Sequence, residues 1–172
     1  MQILVTGGAG FIGSHLCQRL IDDGHVVTAL DNFSTGRATN LEELTRSSNF
    51  TLIDGSILDT NVLNPLIKES DYVFHLAAAV GVFNIVNNPL ASLLTNIRGT
   101  ENVLEAALQT KTPVFLTSSS EVYGKNISDS LNLIYTTREY RVITFMSIHL
   151  PSDLRNISRL VHVIFQESIQ PN

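Results

Sequence analysis

Five short apolar runs punctuate the first 117 residues, and between them apolar positions recur at helical spacing. The runs are Ile3-Leu4-Val5, Val26 to Leu30 ending in Asp31, Phe50 to Asp54, Tyr72 to His75, and Pro113 to Thr117. Each has the length and branching of a buried strand. After the first run, Phe11, Ile12, Leu16, Leu20 and Ile21 fall on one helix face. Thr39 to Arg46 reads as a short helix. Asp59 is placed to cap a helix reaching about Glu69, with Val62, Leu66 and Ile67 inward. A long helical pattern from Pro89 to about Gln109 would bury Leu93, Leu94, Ile97, Val103, Leu104 and Ala107. Strands alternating with helices predict an α/β fold. The expected form is a doubly wound parallel sheet of about five strands in the order 3-2-1-4-5.

In such sheets ligands gather at the carboxyl ends of the strands. Those ends carry Gly7 to Gly13, Asp31, Asp54 to Ile57, Leu76 to Ala79 and Ser118 to Glu121, so the polar candidates share one edge. Gly8, Gly10 and Gly13 satisfy G-x-G-x-x-G, and Gly7, Gly10 and Gly13 satisfy G-x-x-G-x-x-G. The glycines lie between a strand and a helix, the context in which this spacing binds a pyrophosphate. The helix N-terminus offers it unpaired N–H groups and a positive dipole. Asp31, eighteen residues after Gly13, is placed to accept from both ribose hydroxyls. Asp54 either binds adenine or merely ends its strand. His75 has no carboxylate or cysteine at a matching spacing and reads as a packed strand residue. Cys17 reads as a small core residue.

Composition narrows the function further. Net charge is −5 with no run of like charge, which excludes the basic surface a nucleic acid requires. A single cysteine allows no internal disulfide and fits a reducing compartment. No apolar stretch reaches membrane-spanning length, and with a core strand at the start no basic, cleavable leader is expected. A cytoplasmic protein without membrane partner is expected, and no residue cluster suggests a metal. The tail differs from the rest. All ten glycines and all nine alanines lie within residues 1–124, and residues 125–172 hold neither. Leu154, Ile157, Leu160, Val161 and Ile164 still fit one helix face there, and Val142 to Phe145 reads as a strand.

Six segments in this order resemble the extended short-chain dehydrogenase/reductase family of nucleotide-sugar epimerases, dehydratases and decarboxylases. They are Thr6 to Gly13, Asp31 to Gly36, Gly55-Ser56-Ile57, His75 to Ala78, Asn96 to Thr100, and Ser118 to Gly124. The resemblance covers about residues 1–132, which it implies are an NAD-binding Rossmann domain, followed by an atypical tail at 133–172. It implies a tightly held NAD that takes a hydride from a nucleotide sugar and returns it. It further implies that Gly7, Gly10, Phe11, Ile12 and Gly13 meet the pyrophosphate, and Asp31 and Asn32 the adenosine ribose. Ile57 would lie beside the adenine, with Ser56 where the family usually has Asp. Leu76, Ala77 and Ala78 would line the cofactor's middle, with Ser118 nearby, and Asn96 would close the active-site helix. Ser119 matches the Ser/Thr that hydrogen-bonds the reacting hydroxyl, and Glu121 an acid of the dehydratase and decarboxylase branches. Family homodimers form through the helix after Asn96 and a later helix absent here, so the interface is expected to be incomplete.

One element of the family pattern is missing. Its chemistry uses Tyr-x-x-x-Lys, where the lysine lowers the tyrosine pKa and holds the nicotinamide ribose. Tyr72, Tyr123, Tyr135 and Tyr140 are followed four residues later by Leu76, Ile127, Glu139 and Thr144. With the change in composition, this reads as a truncated or frame-shifted chain with its cofactor half intact. A non-catalytic NAD-binding regulatory protein and an incomplete gene product are the alternatives.

Overall fold

The computed structural model describes residues 1–79 and 82–117. Its centre is a parallel sheet of five strands: β1 (Gln2–Thr6), β2 (Val26–Asp31), β3 (Phe50–Asp54), β4 (Tyr72–His75) and β5 (Val114–Leu116). The strand order is β3-β2-β1-β4-β5, as the alternation of runs predicts. β1 lies centrally, with Val5 opposite Ala29 on one side and Phe74 on the other.

The two-residue period of the strands divides the core into two layers. Ile3 and Val5 join Val27, Ala29, Tyr72, Phe74 and Phe115 on one face, under Leu16, Cys17 and Leu20 of α1 (Phe11–Asp22). Leu4, Leu30 and Val73 face the other way. They meet Leu63 and Ile67 of α2 (Thr60–Lys68), and Val103, Ala106 and Ala107 of α5 (Thr100–Thr110). Asp59 caps α2 as expected, its carboxylate accepting from the Asn61 N–H at 3.0 Å. Cys17 is fully buried, and burial, with the charge of Asp31 adding to it, pushes its thiol pKa up.

Several expectations require correction. Residues 39–46 form two 3₁₀ turns, Ala38–Leu41 and Leu44–Arg46, rather than one helix. Leu41 and Leu44 anchor them in the core, one per turn. Phe11 leaves the inward face of α1 and is 59% exposed at its first turn, its ring against His15. The long helix is broken into α4 (Pro89–Leu94), a π-helical turn (Thr95–Gly99) and α5, and a short α3 (Val82–Asn87) precedes it. Val103 and Ala107 are buried and Leu104 is half-buried, but Leu93, Leu94 and Ile97 are exposed. The wide turn resets the helical phase, so one apolar stripe does not continue through it. Among the described residues, no helix is long and apolar enough to cross a membrane.

Candidate functional site

The turn from β1 into α1 is held by backbone contacts that exclude side chains. Gly7 has φ of +74°, and its N–H donates to the Leu30 carbonyl at 2.8 Å. A Cβ on Gly7 would stand 2.7 Å from the Ala77 nitrogen. A Cβ on Gly13 would strike the Gly7 carbonyl oxygen and lie 2.8 Å from Gly8 Cα. α1 therefore begins flush against the turn. Gly10 is its N-cap, no side chain bonds to that cap, and no acid lies in the first turn. The first N–H groups of a helix have no partner within it, and the macrodipole makes that end positive.

Asp31 ends β2 beside this turn and is 8% exposed. One carboxylate oxygen accepts from the Ala9 N–H at 2.9 Å, the other from the Phe33 N–H at 2.8 Å. The second bond holds Phe33 at φ of +55°, a conformation unusual for a bulky side chain. A carboxylate has about four acceptor positions, so capacity remains for a ligand. The loop beyond is latched to the glycine turn at one point. The Ala9 carbonyl accepts from the Arg37 N–H at 3.0 Å and from Asn40 Nδ2 at 2.9 Å. Asn32 is exposed, its side-chain oxygen accepting from the Ser34 N–H.

The ends of β3 and β4 complete the edge. Asp54 pairs in register with Asp31 and is exposed. The Ser56 hydroxyl accepts from the Leu58 N–H at 3.2 Å. Ile57 is 4% exposed and packs in the core of the α2–α5 face. Leu76 and Ala77 are half-buried, and Ala78 is exposed. Asn96, in the π-helical turn, grips Ala79 twice: its oxygen accepts from the Ala79 N–H at 2.7 Å, and its amide donates to the Ala79 carbonyl at 3.2 Å. Ser118, Ser119 and Glu121 lie outside the described residues, as does the proposed boundary at residue 132.

His75 is buried, as its place in a strand suggests, and it joins three elements. Its Nδ1 lies 2.7 Å from Thr6 Oγ1, and its Nε2 lies 3.0 Å from Thr100 Oγ1. Thr6 Oγ1 also accepts from the Ala77 N–H at 3.3 Å. A neutral imidazole satisfies both contacts, donating through one nitrogen and accepting through the other. Burial lowers its pKa to about 4. Tyr72 is also buried, and its phenol is pushed up to about 12, far from a poised base.

Asn40 and Asn102 escaped the sequence reading, as did the bonds of Thr6, a residue of the glycine motif, to His75 and Ala77. Asn102 carried a signal: a poor helix former on the inward side of a helix, next to Val103. Asn40 carried none, since its bond to Ala9 spans 31 residues. A groove of about 480 Å³ between α2 and α5, lined by Asn64, Pro65, Lys68, Glu69, Ala106, Gln109 and Thr110, shares no residue with this edge. Among the described residues no cluster of His, Cys, Asp and Glu is arranged to hold a metal.

Sheet order, glycine turn and terminal acid together define a Rossmann-type domain. The chain belongs to the NAD dependent epimerase/dehydratase family, whose sequence model matches residues 3–156. It is 49% identical over 124 residues to a UDP-N-acetyl-alpha-D-glucosaminuronate decarboxylase of Bacillus cytotoxicus, covering 72% of this chain and 38% of that one. It is 45% identical over 123 residues to UDP-glucuronic acid decarboxylase 1 of Danio rerio, covering 72% and 28%. Among solved structures it resembles the dTDP-glucose 4,6-dehydratase DesIV of Streptomyces venezuelae, crystallised with NAD and TYD bound. The TM-score is 0.70 at 32% identity, over 76% of this chain and 43% of that one. The chain thus spans well under half the length of these relatives.

Proposed function

We propose that this chain binds NAD and carries the cofactor half of a nucleotide-sugar epimerase, dehydratase or decarboxylase. The observation that carries the reading is the meeting of an uncapped α1 N-terminus with the Asp31 carboxylate at one sheet edge. These groups fit a dinucleotide. Gly7 and Gly13 let the turn close against Ala77 and Gly8, Gly10 leaves the start of α1 nearly open where a pyrophosphate would lie, and the N–H groups of Phe11 and Ile12 would donate to it. Asp31, with Asn32 beside it, would accept from the adenosine ribose. Leu76, Ala77 and Ala78 would line the middle of the cofactor, held in place by Thr6 and Asn96. Ser56, Ile57 and Asp54 would flank the adenine, and Ser118 would lie toward the nicotinamide. Bound NAD would supply a hydride acceptor and donor for a sugar hydroxyl.

Ser119 would hydrogen-bond that hydroxyl, and Glu121 would assist proton transfer or hold the sugar. The decarboxylase names among the relatives, and the acid at 121, favour a UDP-uronate over other nucleotide sugars. No tyrosine has a lysine four residues on. An unperturbed tyrosine has a pKa of about 10, so about one in a thousand is ionised at pH 7. Lack of a positioned base costs on the order of 10²–10⁴-fold, and the chain is expected to bind cofactor without turnover. The exposed Leu90, Leu93, Leu94 and Ile97 form an apolar patch that leads into the helix after Asn96 and supports a homodimer contact in that region.

The test is incubation with NAD and UDP-glucuronate, UDP-glucose or GDP-mannose, following NADH absorbance and sugar products. Saturable NAD binding without product supports the reading. Turnover that depends on Ser119 would overturn the inactivity and show that another tyrosine serves without its lysine.

A further inference from the structure

Ile57 stands at the end of the β3 loop, and helix residues some forty positions later hold it from two sides. Its carbonyl accepts from Asn102 Nδ2 at 3.0 Å, a buried bond between groups 45 residues apart. Its side chain lies on Gly99, where a Cβ would strike Ile57 Cδ1 and come within 2.7 Å of Cγ1. Gly99 closes the π-helical turn, and Asn102 is 5% exposed in the first turns of α5. Asparagine weakens a helix interior, and a missing Cβ weakens it further. Both residues therefore lower the helix's own stability at the two positions that touch Ile57. Elsewhere on its inward face α5 uses Val103, Ala106 and Ala107, which suit plain packing.

We propose that Asn102 and Gly99 are positioning residues for the adenine end of the cofactor site, acting through Ile57. The inference rests on the NAD-binding reading above, in which Ile57 flanks the adenine. Asn102 fixes the height of the Ile57 main chain, and Gly99 admits its side chain beneath the loop. Asn96, from the same π-helical turn, holds Ala79 beside the cofactor's middle. One short stretch of helix thereby sets the spacing between the β3 loop and the β4 loop.

The two halves of the cofactor separate positioning from general destabilisation. The affinities of AMP and nicotinamide mononucleotide are measured by ligand-observed NMR on the full chain and on Asn102→Ala, Asn102→Ser, Gly99→Ala, Ile57→Ala and Gly99→Ala/Ile57→Ala, with thermal melts of each. Loss of the Asn102 bond is expected to weaken AMP by about tenfold, with nicotinamide mononucleotide changed by less than about twofold. Gly99→Ala is expected to do the same. Ile57→Ala, which deletes both clashing atoms, is expected to remove most of the Gly99→Ala loss when the double variant is compared with Ile57→Ala alone, a coupling that independent sites do not show. Equal loss on both halves, unchanged AMP affinity in any folded Asn102 variant, or an undiminished Gly99→Ala loss in the double variant would overturn the proposal. An unmodified chain that binds neither half would instead overturn the NAD reading on which it rests.

Discussion

Asp31 has two tasks in this account, and Asp31→Asn separates them. Its carboxylate accepts from two backbone N–H groups, at 2.9 and 2.8 Å, on opposite sides. An asparagine keeps one acceptor oxygen and turns an NH₂ group toward the other N–H. One charge-assisted bond is lost, worth about 1.5–3 kcal/mol, and the other becomes a weaker neutral bond. Asp31 is 8% exposed, so water does not replace the lost partner. The expected net loss is about 3 kcal/mol. For a chain of this size that lowers Tm by roughly 6–12 °C. The second task is cofactor choice. A carboxylate repels a 2′-phosphate and accepts from a 2′-hydroxyl, so the variant should also narrow the preference for NAD over NADP, by about tenfold or more at near-surface dielectric. Calorimetric unfolding and paired NAD and NADP titrations check both. An unchanged Tm would refute the claim that this carboxylate holds the Ala9 and Phe33 backbone. An unchanged cofactor ratio would refute its place at the ribose.

Four further outcomes are expected. Gly13→Ala drives a methyl into the Gly7 carbonyl and should abolish folding or NAD binding. Gly24→Ala, at φ of +86° with open space around it, should cost only about 1 kcal/mol by thermal melt. Asp54→Asn should weaken AMP if Asp54 meets the adenine, and should leave both affinity and Tm unchanged if it only ends β3. His75 has its pKa lowered to about 4 from an ordinary 6.5, so the unfolded chain binds the proton first. Its contribution to stability is whole above about pH 6.5 and is lost as pH falls toward 4, on the order of 3 kcal/mol in all. Urea unfolding at pH 5 and pH 7.5 should show this slope in the natural chain and a shallower one in His75→Gln.

The parts of the molecule legible in the sequence are those governed by nearby residues. The β1–glycine turn–α1 unit follows from a strand period, a steric demand and a helix period within 22 residues, and it forms as expected. The sheet order follows from the alternation of such units and the rules of crossover connections. What escaped depends on residues far apart in the chain. The break in the Pro89–Gln109 pattern coincides with the seat of Ile57 on Gly99, which no local period announces. The 22-residue reach of Asp31 to Ala9, and the 69-residue reach of His75 to Thr6, are likewise invisible to windowed patterns. Phe11 followed the helical period but lies at the α1 start, beyond the sheet's cover, so the period predicted a burial that position denied it.

Residues before the composition break are expected to form a working NAD site that needs nothing from the tail. This is tested most directly by calorimetric titration of the full chain with NAD and, in parallel, with NADP. Saturable binding of NAD at one site per chain is expected, with NADP weaker. Absence of saturable NAD binding to a chain that melts cooperatively, or tighter binding of NADP, would contradict it.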